Sequence, residues 1–291
     1  MASPTIFLTA GTGNVGSALV PELAARGAAV RALVHDPARS EPVAAAGAEP
    51  VVGDLEDPGS YAPALAGVDA VLIVAPNSPD QVAWEREVAA AARAAGVRRT
   101  VKLSIAGADP ASAVELYRLH GRCEEAVREA GEAVTAMRCA EFAQNFLLSA
   151  DTLRDEGVHY GTGSGAGRVA FLDVRDVAAA AAELLTREGP QAAEHLLTGP
   201  EALTFDEAAQ RLGGALGREV SYVELPADDY RGALVEAGVS EWYAGVLAGL
   251  YASYAEGVAA QVTGDVRALT GREPRTLDAF ARDHAAALVG G

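Results

Sequence analysis

The sequence predicts an α/β fold: a Rossmann-type doubly wound parallel sheet with a smaller C-terminal α/β and helical substrate cap. Three observations predict it. Short β-type runs alternate with alanine-rich amphipathic segments through the first half, the pattern of βαβ units. The strand candidates are continuously apolar, as in AVLIVA at 70–75, which fits strands buried on both faces. The first strand, TIFLTA, also runs through three closely spaced glycines into a helical pattern.

In chain order, Ile6–Thr9, Ala29–Val34, Pro50–Val52, Ala70–Val74, Thr100–Ser104 and Ala133–Arg138 read as strands. Helix patterns lie between them near 14–26, 37–46, 58–66, 79–95, 112–130 and 142–150. After residue 150 the pattern loosens. The glycine-rich loop GTGSGAG (161–167) leads to a strand at Val169–Leu172 and a helix over 174–187. A strand at His195–Thr198, a helix over 204–216 and a strand at Glu219–Leu225 follow, and 226–287 reads as helices only. We therefore expect a dinucleotide-binding core at 1–150, with 151–291 extending its sheet and adding a cap within one integrated domain. In a helix near 240–259, Trp242, Val246, Leu250 and Tyr254 recur at i+4. They form either an ordinary core stripe or an aromatic lid over a flat substrate.

Gly11, Gly13 and Gly16 satisfy G-x-G-x-x-G in the strand-to-helix context that makes the pattern informative. A tight turn there favours residues tolerant of unusual φ, a pyrophosphate needs backbone N–H groups unshielded by Cβ atoms, and the helix N-terminus adds partial positive charge. The expected cofactor cradle is Ala10, Gly11, Thr12, Gly13, Asn14, Val15 and Gly16. At the end of the second strand, VRALVHDPARS, Asp36 is a candidate for the ribose hydroxyls, as in NAD-preferring folds, yet it directly precedes Pro37 and can instead be occupied as a helix N-cap. That leaves His35 and Arg39 facing the adenosine 2′ position, where Arg39 suits a 2′-phosphate, so NADPH is expected over NADH. In VVGDLEDP, Asp54 and Leu55 fall where adenine would lie, and Asp54 either accepts from its amino group or caps the next helix. Ala75 and Pro76, after the fourth strand, and Ser104, at the end of the fifth, complete the expected cofactor contacts.

The formal charge of −17 opposes nucleic acid and anionic lipid in the absence of a basic patch. No run reaches the ~18 apolar residues of a membrane span. The opening residues carry no basic leader, so a cytoplasmic protein is expected. Cys123 and Cys139 form no CxxC, and no histidine stands at metal spacing, so two reduced thiols and no metal are expected.

The chain resembles the NmrA-like branch of atypical short-chain dehydrogenases/reductases over nearly its whole length. TAGTGNVGSALV, VRALVHDP, VVGDLED, VKLSIAGAD, HGRCEEAVREAG, MRCAEFAQNF, FLDVRDVAAAAAELL, LTGPEALTFDEAA and TGREPRTLDAFARDH carry the likeness. The resemblance implies an NAD(P)H-dependent reductase of quinone or azo compounds. In that branch the usual loop is G-x-x-G-x-x-G, which places Ala10 where glycine is usual.

The wider superfamily uses a tyrosine as proton donor with a lysine four residues on. Lys102 is the only lysine here, and no Tyr-x-x-x-Lys exists: Tyr117 is followed four residues on by Gly121, and His120 stands near the lysine's usual place. His120 shares a helix stripe with Leu116, Cys123 and Val127, and is either a hydrogen-bonded core residue or an acid whose ordinary pKa of ~6.5 suits proton donation. Ser104, at the C-terminal end of the fifth strand, either polarises a carbonyl or starts the loop. Hydride transfer to a flat aromatic carbonyl or quinone, including an aromatic polyketide ketone, is the leading expectation, with Ser104 or His120 polarising the oxygen or the proton coming from water or a phenol on the substrate. A quinone tolerates a missing acid because its hydroquinone anion is stabilised. The alternatives are a non-catalytic, NADP(H)-binding redox sensor and an isomerase or dehydratase. The expected partner is a small aromatic substrate, and the expected assembly a monomer or homodimer.

Overall fold

The computed structural model describes residues 3–163, 167–189 and 191–290. The elements follow the chain as β1 (Thr5–Leu8), α1 (Asn14–Ala25), β2 (Ala29–Val34), α2 (Ser40–Ala45), β3 (Glu49–Val52), α3 (Pro58–Tyr61), β4 (Ala70–Ile73), α4 (Gln81–Ala94), β5 (Arg99–Ile105), α5 (Glu115–Ala130) and β6 (Val134–Cys139). Next come α6 (Ala150–Asp155), β7 (Val158–Thr162), α7 (Val174–Thr186), β8 (Glu194–Leu197), α8 (Phe205–Leu216), β9 (Ser221–Leu225), α9 (Ala227–Glu236), α10 (Glu241–Ser253), α11 (Asp265–Thr270), α12 (Leu277–Asp283) and α13 (Ala285–Val289).

Seven strands form one parallel sheet in the order β3-β2-β1-β4-β5-β6-β8. The order reverses beside β1, where open α/β sheets bind ligands outside the strands' carboxyl ends. Strand alternation sends Val101 of β5 into the apolar cluster beneath α1 and α7, while Lys102 and Ser104 face the α4–α5 side. That polar pair is enclosed. Its neighbours on that face include Val88 and Val127, both fully buried.

The second half departs from the expected pattern in several places. The predicted strand Val169–Leu172 makes only isolated bridges, Phe142 with Leu172 and Val169 with Leu203. Its N–H groups go to three different partners: Val169 to Leu203, Ala170 to Ala259 and Leu172 to Glu141. The expected strand near Glu219–Leu225 begins at Ser221 and pairs with β7 in a separate two-stranded sheet, so only β8 extends the main sheet. β7 starts three residues before the stretch read as the 161–167 loop, of which 164–166 lie outside the described residues. The 142–150 helix is a 3₁₀ turn, Ala143–Ser149, leading into α6, and the 240–259 helix ends at Ser253. Within 58–66, Pro63 lies just after the four-residue α3, and the chain continues as a 3₁₀ turn.

The C-terminal cluster joins α5, α8, α10 and α12 around Phe146, Phe171, Phe205 and Phe280. Val246, Leu250 and Tyr254 are buried in it, and Trp242 packs against its edge. No helix among the described residues is long and apolar enough to cross a membrane.

Candidate active site

The glycine loop is built by steric exclusion. None of Gly11, Gly13 and Gly16 adopts positive φ, which corrects the expectation that the turn needs unusual backbone angles. A Cβ on Gly16 would sit 1.8 Å from the Ala10 carbonyl oxygen, and one on Gly11 2.7 Å from the Ala32 Cβ. Both residues are therefore demanded by close packing of α1 against β1 and β2. Ala10 lies outside the left-handed region, so an alanine fits where the family's usual pattern has glycine. Gly13 differs: a Cβ there would meet nothing within 4 Å. It is the N-cap of α1, with no capping side chain, so the helix's first N–H groups point outward unshielded. An exposed, side-chain-free helix N-terminus of this kind fits a pyrophosphate. Asn14 is exposed beside it, while Val15 is buried in the core.

Beyond β2, Asp36 spends its carboxylate on the Ala38 N–H at 2.9 Å, as its place before Pro37 predicts. Arg39 is exposed and, among the described residues, has no carboxylate within ion-pair distance. It lines a cavity of about 430 Å³ together with Gly11, Thr12, Ser17 and Pro42. His35 lies 3.2 Å from Asp54, whose other oxygen accepts from the Glu56 N–H. Asp54 therefore closes a turn, while Asp57 caps α3. Leu55 packs against the neighbouring apolar cluster. Ala75 is half-buried and Pro76 exposed, immediately after β4 and before Asn77.

Past the carboxyl ends of β4, β5 and β6 lies a cavity of about 230 Å³ walled by Asn77, Ala106, Tyr117, Glu141, Tyr243 and Tyr254. It shares Glu141, Tyr243, Leu247 and Tyr251 with a wider, more apolar cavity of about 530 Å³ beneath α9 and α10. Glu141 accepts from Asn145 and Tyr254 at 2.6 Å each and from Tyr251 at 3.4 Å. Burial pushes its carboxyl above the ordinary value despite those donors, and burial with the nearby Glu141 charge holds Tyr251 and Tyr254 well above theirs. Tyr117 Oη is bonded to Ser253 Oγ at 3.1 Å.

Lys102 connects this cavity to the sheet. Its side chain is fully buried, with Nζ 3.0 Å from Glu85 Oε2 and donating to the Leu103 carbonyl at 2.6 Å. Its third approach is to His120 Nδ1 at 3.4 Å. An ammonium only donates, so Nδ1 accepts and the ring proton sits on Nε2. Nε2 donates to Asn77 Oδ1 at 3.1 Å, and Asn77 Nδ2 donates to Tyr243 Oη at 3.0 Å. Burial and the Lys102 charge hold His120 well below its ordinary value of 6.5, so the imidazole is neutral at physiological pH. It does not line the cavity, and its chemistry reaches it through Asn77. Ser104 is placed elsewhere: the residue is 1% exposed and its hydroxyl donates to Glu124 at 2.6 Å, within a cluster that includes Arg138.

Comparison with known proteins then fixes the ancestry. The model of the NmrA-like family matches residues 2–281. The chain belongs to the NmrA-like family. Among the relatives of this NmrA-like protein, the NAD(P)H azoreductase of Xenophilus azovorans is 37% identical over 97% of this chain and 99% of its own. The (4-alkanoyl-5-oxo-2,5-dihydrofuran-3-yl)methyl phosphate reductase of Streptomyces griseus is also 37% identical, over 98% and 99%. The NADPH-dependent quinone oxidoreductase QOR2 of Escherichia coli, solved with NADPH, superposes with a TM-score of 0.84 at 27% identity, covering 96% of this chain and 99% of that one.

Sequence reasoning missed Asn77, Glu141 and the polar role of Tyr243. Asn77 and Tyr243 are 166 residues apart, so no local spacing announces their contact.

Proposed function

We propose that this NmrA-like protein is an NADPH-dependent oxidoreductase that reduces a flat aromatic carbonyl or quinone, a class that includes aromatic polyketide ketones. The observation that carries the reading is the tyrosine-walled cavity at the carboxyl ends of β4–β6, on the same sheet edge as the open Gly13 turn. The kinship supports it: the relatives described above are named as reductases, two of them by their nicotinamide cofactor.

NADPH held there supplies a hydride. The chain's own residues do the rest. The α1 N-terminus and Gly13 hold the pyrophosphate, and Arg39 takes the 2′-phosphate. Tyr243, Leu247, Leu250 and Tyr251 present a flat, largely apolar wall that orients a planar ring and excludes water. The two adjoining cavities suit a substrate of more than one ring.

The experiment is turnover of NADPH with a panel of quinones, azo dyes and polycyclic aromatic ketones. Oxidation of NADPH dependent on at least one of them is expected. Tight NADPH binding with no turnover across the panel would instead support a nucleotide-sensing protein.

A further inference from the structure

We infer that Tyr243 is the catalytic proton donor to the substrate oxygen, and that Asn77, His120 and Lys102 are positioning residues that hold its hydroxyl for that task. The inference rests on the reductase reading above and names the acid it lacks.

Hydrogen-bond direction, together with the link to Lys102, singles Tyr243 out. Four tyrosines touch the smaller cavity: Tyr117, Tyr243, Tyr251 and Tyr254. Tyr251 and Tyr254 turn their protons toward Glu141, while Tyr117 accepts from Ser253 Oγ and has no tie to Asn77 or Lys102. Of the four, Tyr243 alone receives a hydrogen bond from Asn77 Nδ2, which occupies its oxygen as acceptor and leaves its own proton free for the cavity. Asn77 can present only its amide N–H, because its oxygen is taken by His120 Nε2. His120 can donate only from Nε2, because the Lys102 ammonium occupies Nδ1. Lys102 is in turn locked by Glu85 in a pair with side-chain exposures of 0% and 1%. The one lysine in the chain thus sets the orientation of a cavity tyrosine through two intermediates, across 141 residues of sequence.

The step balances. The carbonyl carbon gains a hydride from the reduced nicotinamide, the C=O π pair moves to oxygen, and that oxygen takes the Tyr243 proton to become a hydroxyl. The phenolate left behind keeps the Asn77 hydrogen bond. Once the product has left, water from the wider cavity, which Tyr243 also lines, restores its proton. Burial is the larger effect and holds the Tyr243 phenol above its ordinary value; the Asn77 amide N–H opposes it by favouring the charged form.

The test compares Tyr243→Phe and the isosteric Asn77→Asp with wild type. The carboxylate introduced by Asn77→Asp would present only acceptors to Tyr243 and take its proton. We expect each variant to lower kcat by about 100-fold or more, the scale of general acid catalysis. NADPH affinity should stay within about twofold and the thermal midpoint within a few degrees. A second readout needs no turnover: quenching of Trp242, whose ring lies 6.1 Å from that of Tyr243, by a bound hydroxyaromatic compound. Binding of a ring whose oxygen accepts from Tyr243 should weaken in Tyr243→Phe, while that of a ring lacking the oxygen should not. The pH profile of kcat in Asn77→Ala should also shift its alkaline limb upward, which a purely structural asparagine would not do. If Tyr243→Phe keeps wild-type kcat and oxygen-dependent binding, the inference is overturned while the reductase reading stands. If wild type turns over nothing in the panel, the reductase reading falls and takes this inference with it.

Discussion

Lys102 Nζ and His120 Nδ1 lie 3.4 Å apart in the closed space between the sheet and the α4–α5 pair. This contact fixes which imidazole nitrogen carries the proton, and so which way the chain of hydrogen bonds runs from the sheet to the cavity. It is also a buried ionic site, because the lysine's carboxylate partner is enclosed with it.

Lys102→Met should therefore destabilise the fold by about 3–5 kcal/mol, since Glu85 is left buried without its counter-charge. Adding Glu85→Gln should recover a substantial part of the loss. Urea midpoints for the two singles and the double would show it, and simple additivity of the two losses would contradict the pairing.

Arg39→Ala should raise the Kd for NADPH about tenfold, or ~1.4 kcal/mol, in the range of a lost charge-assisted hydrogen bond. The Kd for NADH should move less than twofold. Equal changes for both nucleotides, measured by titration calorimetry, would remove Arg39 from the 2′-phosphate.

Gly16→Ala and Gly13→Ala should behave as opposites. The first drives a Cβ into the Ala10 carbonyl and should unfold or strongly destabilise the core. The second has open space, so its thermal midpoint should stay close to wild type while NADPH binding weakens.

His159 stacks among Phe146, Phe205 and Tyr222, and burial holds its pKa at about 4 against an ordinary 6.5. Between those values the unfolded chain binds a proton that the folded protein does not. Stability therefore falls as pH drops from 6.5 toward 4, by up to about 3 kcal/mol from this residue. His120 acts in the same direction. Chemical denaturation across that window should show a shallower decline in His159→Gln than in wild type.

What could be read in the sequence follows from how local each signal is. The β1–α1 turn, the Asp36 cap before Pro37 and the first six parallel strands announce themselves within a few residues, through apolar runs, proline and glycine. The segment 169–172 misled because it is apolar enough to be fully buried, yet its backbone is satisfied by three unrelated partners rather than one strand. His120 was visible as a buried residue on a helix stripe. Its neutral state was not, because that depends on how completely the fold encloses the ring and on an ammonium from another element. The hydroxyl of Ser104, at the expected edge of β5, is diverted by Glu124, a carboxylate 20 residues away on α5. Tyr243 carried only an aromatic signal, and its polar partner lies in a loop after β4.

The most direct test of the central claim is single-turnover mixing of the NADPH-loaded protein with a quinone or polycyclic aromatic ketone, following loss of the reduced-nicotinamide absorbance. The account predicts a stoichiometric loss in wild type, slowed about 100-fold in Tyr243→Phe. Unchanged NADPH absorbance in the wild-type complex with every planar carbonyl and quinone tried would contradict it.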